Sequence, residues 1–198
     1  MFRSEHACYP CCVTVSTDAI LETATRVLAA SPSATLADVA RAAGISRTTL
    51  FMRFATRDEL LLTLAVDAID RIDAAILAAG IADASQDPVA ALADLTETMM
   101  PLGARLGYLL RERSLDDNEE LRERWSRIDR TITDAVRRAQ AADRVRADLP
   151  ALWVADVWFW LVVAAWEGVE AGRIAPLDGA RLVITTLLDG TGSRSFPA

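Results

Sequence analysis

The chain has 198 residues, of which 52% are hydrophobic, and a mean hydropathy of +0.21; this is enough apolar material for a sizeable core and excludes wholesale disorder. Its formal net charge of -7 would by itself argue against a nucleic-acid partner. Because all three cysteines fall within residues 8–12, no disulfide framework is expected, and the lack of a secretory pattern at the start predicts a cytoplasmic protein.

The charges are distributed unevenly along the chain. Residues 1–60 carry six arginines and six acidic residues, so the whole negative balance belongs to residues 61–198. Between residues 41 and 57 there are four arginines and no acid. This local basic patch is what a DNA phosphate backbone would meet on an otherwise acidic protein.

Apolar residues recur every three or four positions in the first part of the chain, which predicts helices rather than strands. Thr35 and Ser46 are typical helix N-caps, and Gly44 is typical of a residue just past a helix end. Four helices are predicted here, over residues 17–30, 36–43, 47–53 and 57–79.

The rest of the chain is also predicted to be helical, over residues 88–111 with an allowed break at Pro101, 118–142, 151–171 and 177–189. Residues 149–166 are nearly all apolar and could be mistaken for a membrane span. Asp156 lies inside this run, where an aspartate would cost about 2.5–3.5 kcal/mol in a bilayer. A buried helix is therefore expected, and no membrane partner.

Residues 36–53 predict a helix, a turn centred on Gly44 and a second helix. Ala40 is small enough for the two helices to cross closely, and Ile45 fills the space beneath the turn. This packing leaves the outer side of the 47–53 helix free to enter a DNA major groove. A generic helical turn in a helical protein is the alternative, which the arginine run disfavours.

The stretch from Thr17 to Leu61 resembles the DNA-binding domain of the TetR family of transcriptional repressors. Three segments carry the resemblance: Thr35-Leu-Ala-Asp-Val-Ala, Ala43-Gly-Ile-Ser-Arg-Thr-Thr-Leu-Phe, and Phe54-Ala-Thr-Arg-Asp-Glu-Leu-Leu. The resemblance implies a domain at residues 15–60 that binds a double-stranded operator, and a helical domain at residues 61–198 that binds an effector and forms the homodimer.

By this resemblance, Thr35 and Arg57 would hold phosphates, and Arg47, Thr48 and Thr49 would touch base edges or adjoining phosphates. The predicted DNA-binding residues are Thr35, Ser46, Arg47, Thr48, Thr49, Phe51, Met52, Arg53 and Arg57. The family usually has a tyrosine at position 51, whose hydroxyl reaches a phosphate; Phe51 lacks that hydroxyl.

The helix at 151–171 is apolar nearly all round, so both of its sides should be covered. In the resembled family this helix and the last one form a four-helix contact with a second subunit. The residues predicted for that contact are Trp153, Val157, Trp160, Ala164, Leu182, Val183, Thr186 and Leu187. The alternative is the central helix of a monomer.

The resemblance also implies an effector cavity among the later helices, for a small and largely apolar compound. Methionine and aromatic side chains suit an adaptable apolar pocket. The candidates are Met99, Met100, Leu106, Tyr108, Leu109, Trp125, Trp158, Leu161, Val162 and Trp166. For each one separately, plain core packing is the competing interpretation.

Residues 1–14 are expected to form a disordered tail. It contains His6, Cys8, Cys11 and Cys12, but no second half of a zinc site follows, so neither a metal nor a cofactor is expected. Two other classes of protein stay open: an enzyme that uses carboxylates alone, and a ligand-binding dimer that has lost DNA binding. Salt-dependent DNA binding would separate the last of these from a regulator.

Overall fold

The structure of the chain is a computed structural model, which describes residues 15–103, 106, 109, 112, 115 and 117–191. The predicted tail at residues 1–14 and the candidate Tyr108 lie outside the described residues. Within the described part the chain forms eight α-helices, which confirms the expected all-α fold. These are α1 (Thr17–Ala30), α2 (Leu36–Ala42), α3 (Arg47–Phe51), α4 (Arg57–Ala78), α5 (Pro88–Met99), α6 (Glu119–Ala141), α7 (Ala151–Glu170) and α8 (Gly179–Thr191).

Side-chain caps set most of the helix starts. The Ser16 hydroxyl accepts a hydrogen bond from the Ala19 N–H at 3.2 Å, and the Asn118 carbonyl oxygen accepts one from the Leu121 N–H at 3.0 Å. Asp87 caps α5 in the same way and is followed by Pro88 in its first turn. Each cap pairs one of the N–H groups that a helix start leaves without an intrahelical acceptor.

The largest differences from the predicted helix ends are in the third and the last helix. The third helix ends at Phe51, two residues early, because the Arg53 N–H turns back to the Leu50 carbonyl. The helix predicted over 88–111 is interrupted after Met99 by a 3-10 turn that contains Pro101, in agreement with the break allowed there, and Gly103, Leu106 and Leu109 are helical beyond it. The last helix starts and ends two residues later than predicted, since Pro176–Asp178 forms a separate 3-10 turn.

The N-terminal domain, residues 15–64, has a core of its own. It is built on fully buried side chains from α1, α3 and the first two turns of α4, among them Ile20, Leu50 and Leu61. The core continues to Leu64, and the next buried residue of α4, Ala65, belongs to a second core. The change from one core to the other therefore falls within α4.

The C-terminal domain, residues 65–191, is a bundle in which α7 packs between α6 and α8 while α5 contacts α4, α6 and α8. Its largest fully buried side chain is Trp158, whose indole N–H donates to the Thr96 hydroxyl of α5 at 2.9 Å. This bond satisfies a polar group that would otherwise be buried without a partner.

Helix α7 is long and apolar enough to cross a membrane by length and composition. One face of α7 is used within the fold, however, because Val154, Trp158 and Val162 are completely buried by neighbouring helices of the bundle. A core helix of this kind meets the same criteria as a membrane span.

Candidate functional site

The turn between α2 and α3 begins with a reciprocal cap at Thr35. The Thr35 hydroxyl accepts from the Asp38 N–H at 3.3 Å, and the Asp38 carboxylate accepts from the Thr35 N–H at 2.9 Å. Hydrogen bonds from the Thr35 hydroxyl, the Thr35 N–H and Arg41 lower the pKa of Asp38, so this carboxylate stays charged at the start of the helix. The cap fixes where α2 starts and hence where α3 can follow.

Gly44 carries the chain from α2 into α3 with a φ of +68°, a conformation that side chains with a Cβ seldom adopt. The Ser46 hydroxyl then caps α3 by accepting from the Thr49 N–H at 3.0 Å, and it lies 2.7 Å from the Thr49 hydroxyl. These contacts start α3 sharply after the turn, as the sequence predicts.

The outer face of α3 consists of Arg47, Thr48, Phe51 and Met52, which are exposed, while Leu50 on the inner side is fully buried. Met52 is 83% exposed, which is unusual for so large an apolar side chain. The guanidinium of Arg47 lies 5.0 Å from the centre of the Phe51 ring, within cation–π distance.

A surface cleft brings four of the predicted DNA-binding residues together. Thr35, Arg47, Phe51 and Arg57 line it, from the start of α2, the outer face of α3 and the start of α4. Two arginines and two helix N-termini around one cleft suit an anion such as a phosphate. The other predicted residues, Ser46, Thr48, Thr49, Met52 and Arg53, lie outside this lining but on or next to α3.

Two of the arginines also have partners within the protein. Arg53 donates to the Thr17 hydroxyl at 3.5 Å. Arg57 donates to the Pro32 carbonyl at 3.0 Å and forms an ion pair with Glu112 at 3.3 Å. Arg57 thus joins the N-terminal domain to a residue of the segment between α5 and α6.

An internal cavity of about 370 Å³ lies in the C-terminal domain between α4, α5, α6 and α7. Three predicted effector contacts, Met99, Trp125 and Trp158, line it. Ten further residues line the cavity and were not among the predicted effector contacts: Ile72, Ile128, Asp129, Ile132, Thr133, Leu152, Ala155, Asp156, Phe159 and Trp160. The spacing of residues 125, 128, 129, 132 and 133 along α6 places them on one helix face, which is the signal that would have found them.

Four predicted effector contacts do not line this cavity. Val162 is fully buried in the core, and Trp166 is buried with its indole N–H donating to the Met99 carbonyl at 3.1 Å. Leu161 is partly buried against the same core. Met100 likewise packs at the edge of the core and outside the cavity. These four residues pack between helices, and their contact with an effector stays a prediction.

A second cavity, also of about 370 Å³, contains the remaining two candidates, Leu106 and Leu109. Trp125 lines both cavities, so they are neighbours. Glu112, the ion-pair partner of Arg57, lines the second cavity as well.

The polar groups of the internal cavity are few. The Thr133 hydroxyl is buried with no hydrogen-bond partner among the described residues. Partial burial raises the pKa of Asp129, and the nearby charge of Asp156 raises it further. Because both carboxylates, Leu152 and Trp160 are exposed at one side, that side forms the opening of the cavity.

The predicted dimer residues divide into two groups. Trp153, Trp160, Ala164, Leu182 and Thr186 are exposed and Val157 is partly exposed on the outer sides of α7 and α8. Val183 and Leu187 are each only 2% exposed, since they pack inward against the core. Within one chain these two residues lie on the inner face of α8, and their part in a dimer contact stays a prediction.

Comparisons with known proteins agree on one family. A model of bacterial regulatory proteins of the tetR family matches residues 20–64. The HTH-type transcriptional repressor LfrR of Mycolicibacterium smegmatis is 34% identical over 155 residues, 78% of this chain and 79% of that relative. The crystal structure of LfrR from Mycobacterium smegmatis in complex with proflavine has 30% identity and a TM-score of 0.72, and covers 87% of this chain and 94% of LfrR.

A more distant structure, that of the ketosteroid transcriptional regulator KstR2 of Mycobacterium tuberculosis, has a TM-score of 0.73 at 18% identity. It covers 91% of this chain and 97% of that protein. At this identity the likeness concerns the fold alone, a helix-turn-helix domain followed by a helical domain.

Proposed function

The chain belongs to the TetR family of bacterial transcriptional regulators, and from this premise we propose that it is a cytoplasmic, ligand-responsive repressor. In this proposal a homodimer binds a pseudo-palindromic operator and leaves it when a small, largely apolar effector enters the internal cavity. Membership in the family also means that the protein is a regulator and not an enzyme, which removes the carboxylate-dependent enzyme as an alternative.

The observation that carries the proposal is the outer face of α3 beside the cleft that contains Thr35, Arg47 and Arg57. In the proposed complex α3 enters the major groove, where Arg47, Thr48 and Thr49 read base edges or adjoining phosphates. Thr35, at the start of α2, and Arg57, at the start of α4, hold backbone phosphates, which fix the register without reading the sequence.

The exposed face of α7 and α8 supports the proposed homodimer. Trp153 is 58% exposed and Trp160 62% exposed, and Leu182 continues the apolar surface on α8. Neighbouring apolar side chains of this size are characteristic of an interface. A twofold dimer would place two copies of α3 about 34–36 Å apart, one turn of DNA.

The internal cavity is our candidate for the effector site. LfrR, which is 34% identical, is a repressor and has been crystallised with proflavine. We therefore expect an aromatic compound of about this size to occupy the cavity here, where aromatic side chains from α6 and α7 line the wall. Occupancy releases DNA only if the effector binds the free conformation more tightly than the DNA-bound one.

The test is a release experiment on the full chain. Fluorescence anisotropy first establishes a complex with DNA from upstream of the gene, and proflavine is then titrated in. We expect release in the native protein and in Ala90→Phe, an exposed control on α5. Ala155→Phe, which fills the cavity from its wall, should still bind DNA and resist release.

Two outcomes would count against the proposal. Release of Ala155→Phe at the same proflavine concentration as the native protein would place the effector site elsewhere. Failure of the native protein to bind any DNA in a salt-dependent way would favour the other candidate, a ligand-binding dimer without DNA binding.

A further inference from the structure

The described wall of the internal cavity contains two carboxylates, Asp129 and Asp156, and no basic side chain. We infer that the effector is an aromatic cation, whose rings lie among the aromatic side chains and whose positive charge faces Asp129 and Asp156. This inference rests on the proposed function, because it names the chemical class of the compound that the same cavity takes.

The two carboxylates form no ion pair in the described structure, and Arg130 acts favourably on Asp129 only through its charge. Among the described residues neither has an ion-pair partner within 4.0 Å, although most of the arginines of the C-terminal domain pair with other acids, as Arg124 does with Asp70 and Asp73. The charge of Asp156 acts unfavourably on Asp129, so the two lie close enough to repel each other. A cation at the opening would interact favourably with both.

The position of Asp156 reinforces this argument. It is the one charged residue between Ala151 and Trp166, in a helix that is otherwise apolar over that length. Asp156 is exposed at the opening of the cavity, and it shares the cavity lining with Trp158, Phe159 and Trp160.

The aromatic wall suits a flat cation. The ring centres of Trp125 and Phe159 are 6.4 Å apart, and those of Phe159 and Trp160 are 5.5 Å apart, both in edge-to-face arrangements. Such a wall offers ring faces and edges in several directions, and an aromatic face attracts a cation by its quadrupole as well as by contact area.

The Thr133 hydroxyl is an independent sign that the cavity receives a ligand. Its residue is only 4% exposed, it lines the cavity, and the hydroxyl oxygen has no hydrogen-bond partner in the described structure. A buried polar group without a partner is costly, and a hydrogen-bond donor on the ligand would satisfy it.

The experiment compares two probes of nearly the same shape. The 10-methylacridinium ion is a permanent cation, and acridine is its uncharged parent at mildly alkaline pH. Direct binding is followed by the fluorescence of each probe and by the quenching of tryptophan fluorescence, and release of operator DNA is measured in parallel. We expect the cation to bind about tenfold to a hundredfold more tightly than acridine.

Variants then assign the preference to the carboxylates. Asp129→Asn and Asp156→Asn should each reduce the preference for the cation, and the double variant should bind the two probes within about threefold of each other. Asp94→Asn makes the same change of charge on the exposed side of α5 and should keep the native preference. Acridine itself should bind all four variants about equally, which shows that the cavity is intact.

The outcomes separate the two proposals. If both probes bind equally and release the operator, or if the double variant keeps the preference, the cavity is an effector site but the charge inference is wrong. If neither probe binds or neither releases DNA, the proposed effector function of this cavity fails, and the charge inference fails with it.

Discussion

The two domains satisfy their polar groups in different ways. In the N-terminal domain all four helices start with a hydroxyl cap, from Ser16, Thr35, Ser46 and Thr56, so each polar partner is three residues away in the chain. In the C-terminal domain Arg124 reaches across to α4 and Arg144 reaches Asp87, more than fifty residues away. The helix starts of the first domain are thus fixed by local contacts, whereas these two arginines of the second domain connect elements that are distant in the chain.

Their exposed surfaces differ as well. The N-terminal domain presents cations and a short helix outward, and it buries no polar group without a partner among its described residues. The C-terminal domain contains the two apolar cavities that Trp125 lines, the unpartnered Thr133 hydroxyl and the exposed Trp153 and Trp160. A fixed surface suits the reading of a rigid DNA duplex, whereas unfilled volume and unpaired groups suit a domain that responds to a ligand.

The largest expected effect tests whether the two cores are independent. Leu50→Ala removes a fully buried side chain from the N-terminal core and should destabilise that domain by about 2–5 kcal/mol. All five tryptophans lie between residues 125 and 166, so tryptophan fluorescence follows the C-terminal domain alone. In a urea titration the transition followed by circular dichroism should begin at a lower urea concentration. The free energy of unfolding derived from the fluorescence transition should stay within about 0.5 kcal/mol of the native value.

Leu77→Ala is the matched control for that truncation, because Leu77 is 82% exposed and should change neither transition. An equal shift of both transitions in Leu50→Ala would mean that α4 couples the two cores into one cooperative unit. The two domains would then not be independent in stability.

The next effect concerns sequence reading. Arg47→Ala should weaken operator binding by about 1–3 kcal/mol and relax the sequence preference, because a bidentate contact with a base is lost. Anisotropy against the operator and against random DNA measures both quantities. Arg137→Ala removes the same charge from the exposed side of α6 and should leave the ratio of the two affinities unchanged. An unchanged ratio in Arg47→Ala would remove Arg47 from base reading.

A smaller effect tests the contact between the domains. Arg57→Ala should weaken binding to all sequences alike and flatten the slope of log affinity against log salt by about one unit. Glu112→Gln leaves Arg57 in place but removes its anionic partner, so it should strengthen binding to all DNA by less than about 1 kcal/mol. Weaker binding of Glu112→Gln would show that the ion pair positions Arg57 for DNA instead of competing with phosphate.

The smallest effect concerns stability. Since burial and Asp156 raise the pKa of Asp129, the folded protein holds this proton to a higher pH than the unfolded chain, where the pKa is about 3.9. The ionised Asp129 therefore costs stability at neutral pH and contributes nothing in acid, below the unfolded pKa. Asp129→Asn should therefore raise the melting temperature slightly at neutral pH; the gain in free energy of unfolding should stay below about 1 kcal/mol, because the carboxyl is partly solvated.

The advantage of Asp129→Asn should disappear in melts recorded below about pH 4, where the native carboxyl is already protonated in both states. A variant that is less stable than the native protein at neutral pH would contradict this prediction, because it would show that Asp129 makes a favourable interaction in the folded state that outweighs the cost of its burial.

The N-terminal domain could be predicted closely from the sequence, because its helix caps and its turn depend on residues that are near each other in the chain. The start of α1 at Thr17, the positive φ of Gly44 and the caps of Thr35 and Ser46 all follow from residue types within a few positions of each other. The end of α3 is predicted less accurately. The Arg53 N–H bonds to the Leu50 carbonyl in a turn, and the spacing of the apolar residues does not predict this turn.

The cavity could be predicted only in part. Trp125 and Trp158 were found by residue type, but Asp129 and Thr133 become cavity residues only because α7 packs against the same face of α6. The sequence identified the aspartate at 156 as an anomaly in an apolar run, and the structure supplies its place at the cavity wall. Val183 and Leu187 were assigned to the surface because periodicity gives a face of α8 but not which neighbour covers it.

The central claim, that this protein reads DNA through α3 and its flanking arginines, is tested most directly by anisotropy of the native protein. The probes are DNA from upstream of its gene and random DNA, each at two salt concentrations. We predict tighter binding to the upstream DNA, and an affinity for both that falls as salt rises. Absence of salt-dependent binding even to random DNA would contradict the account.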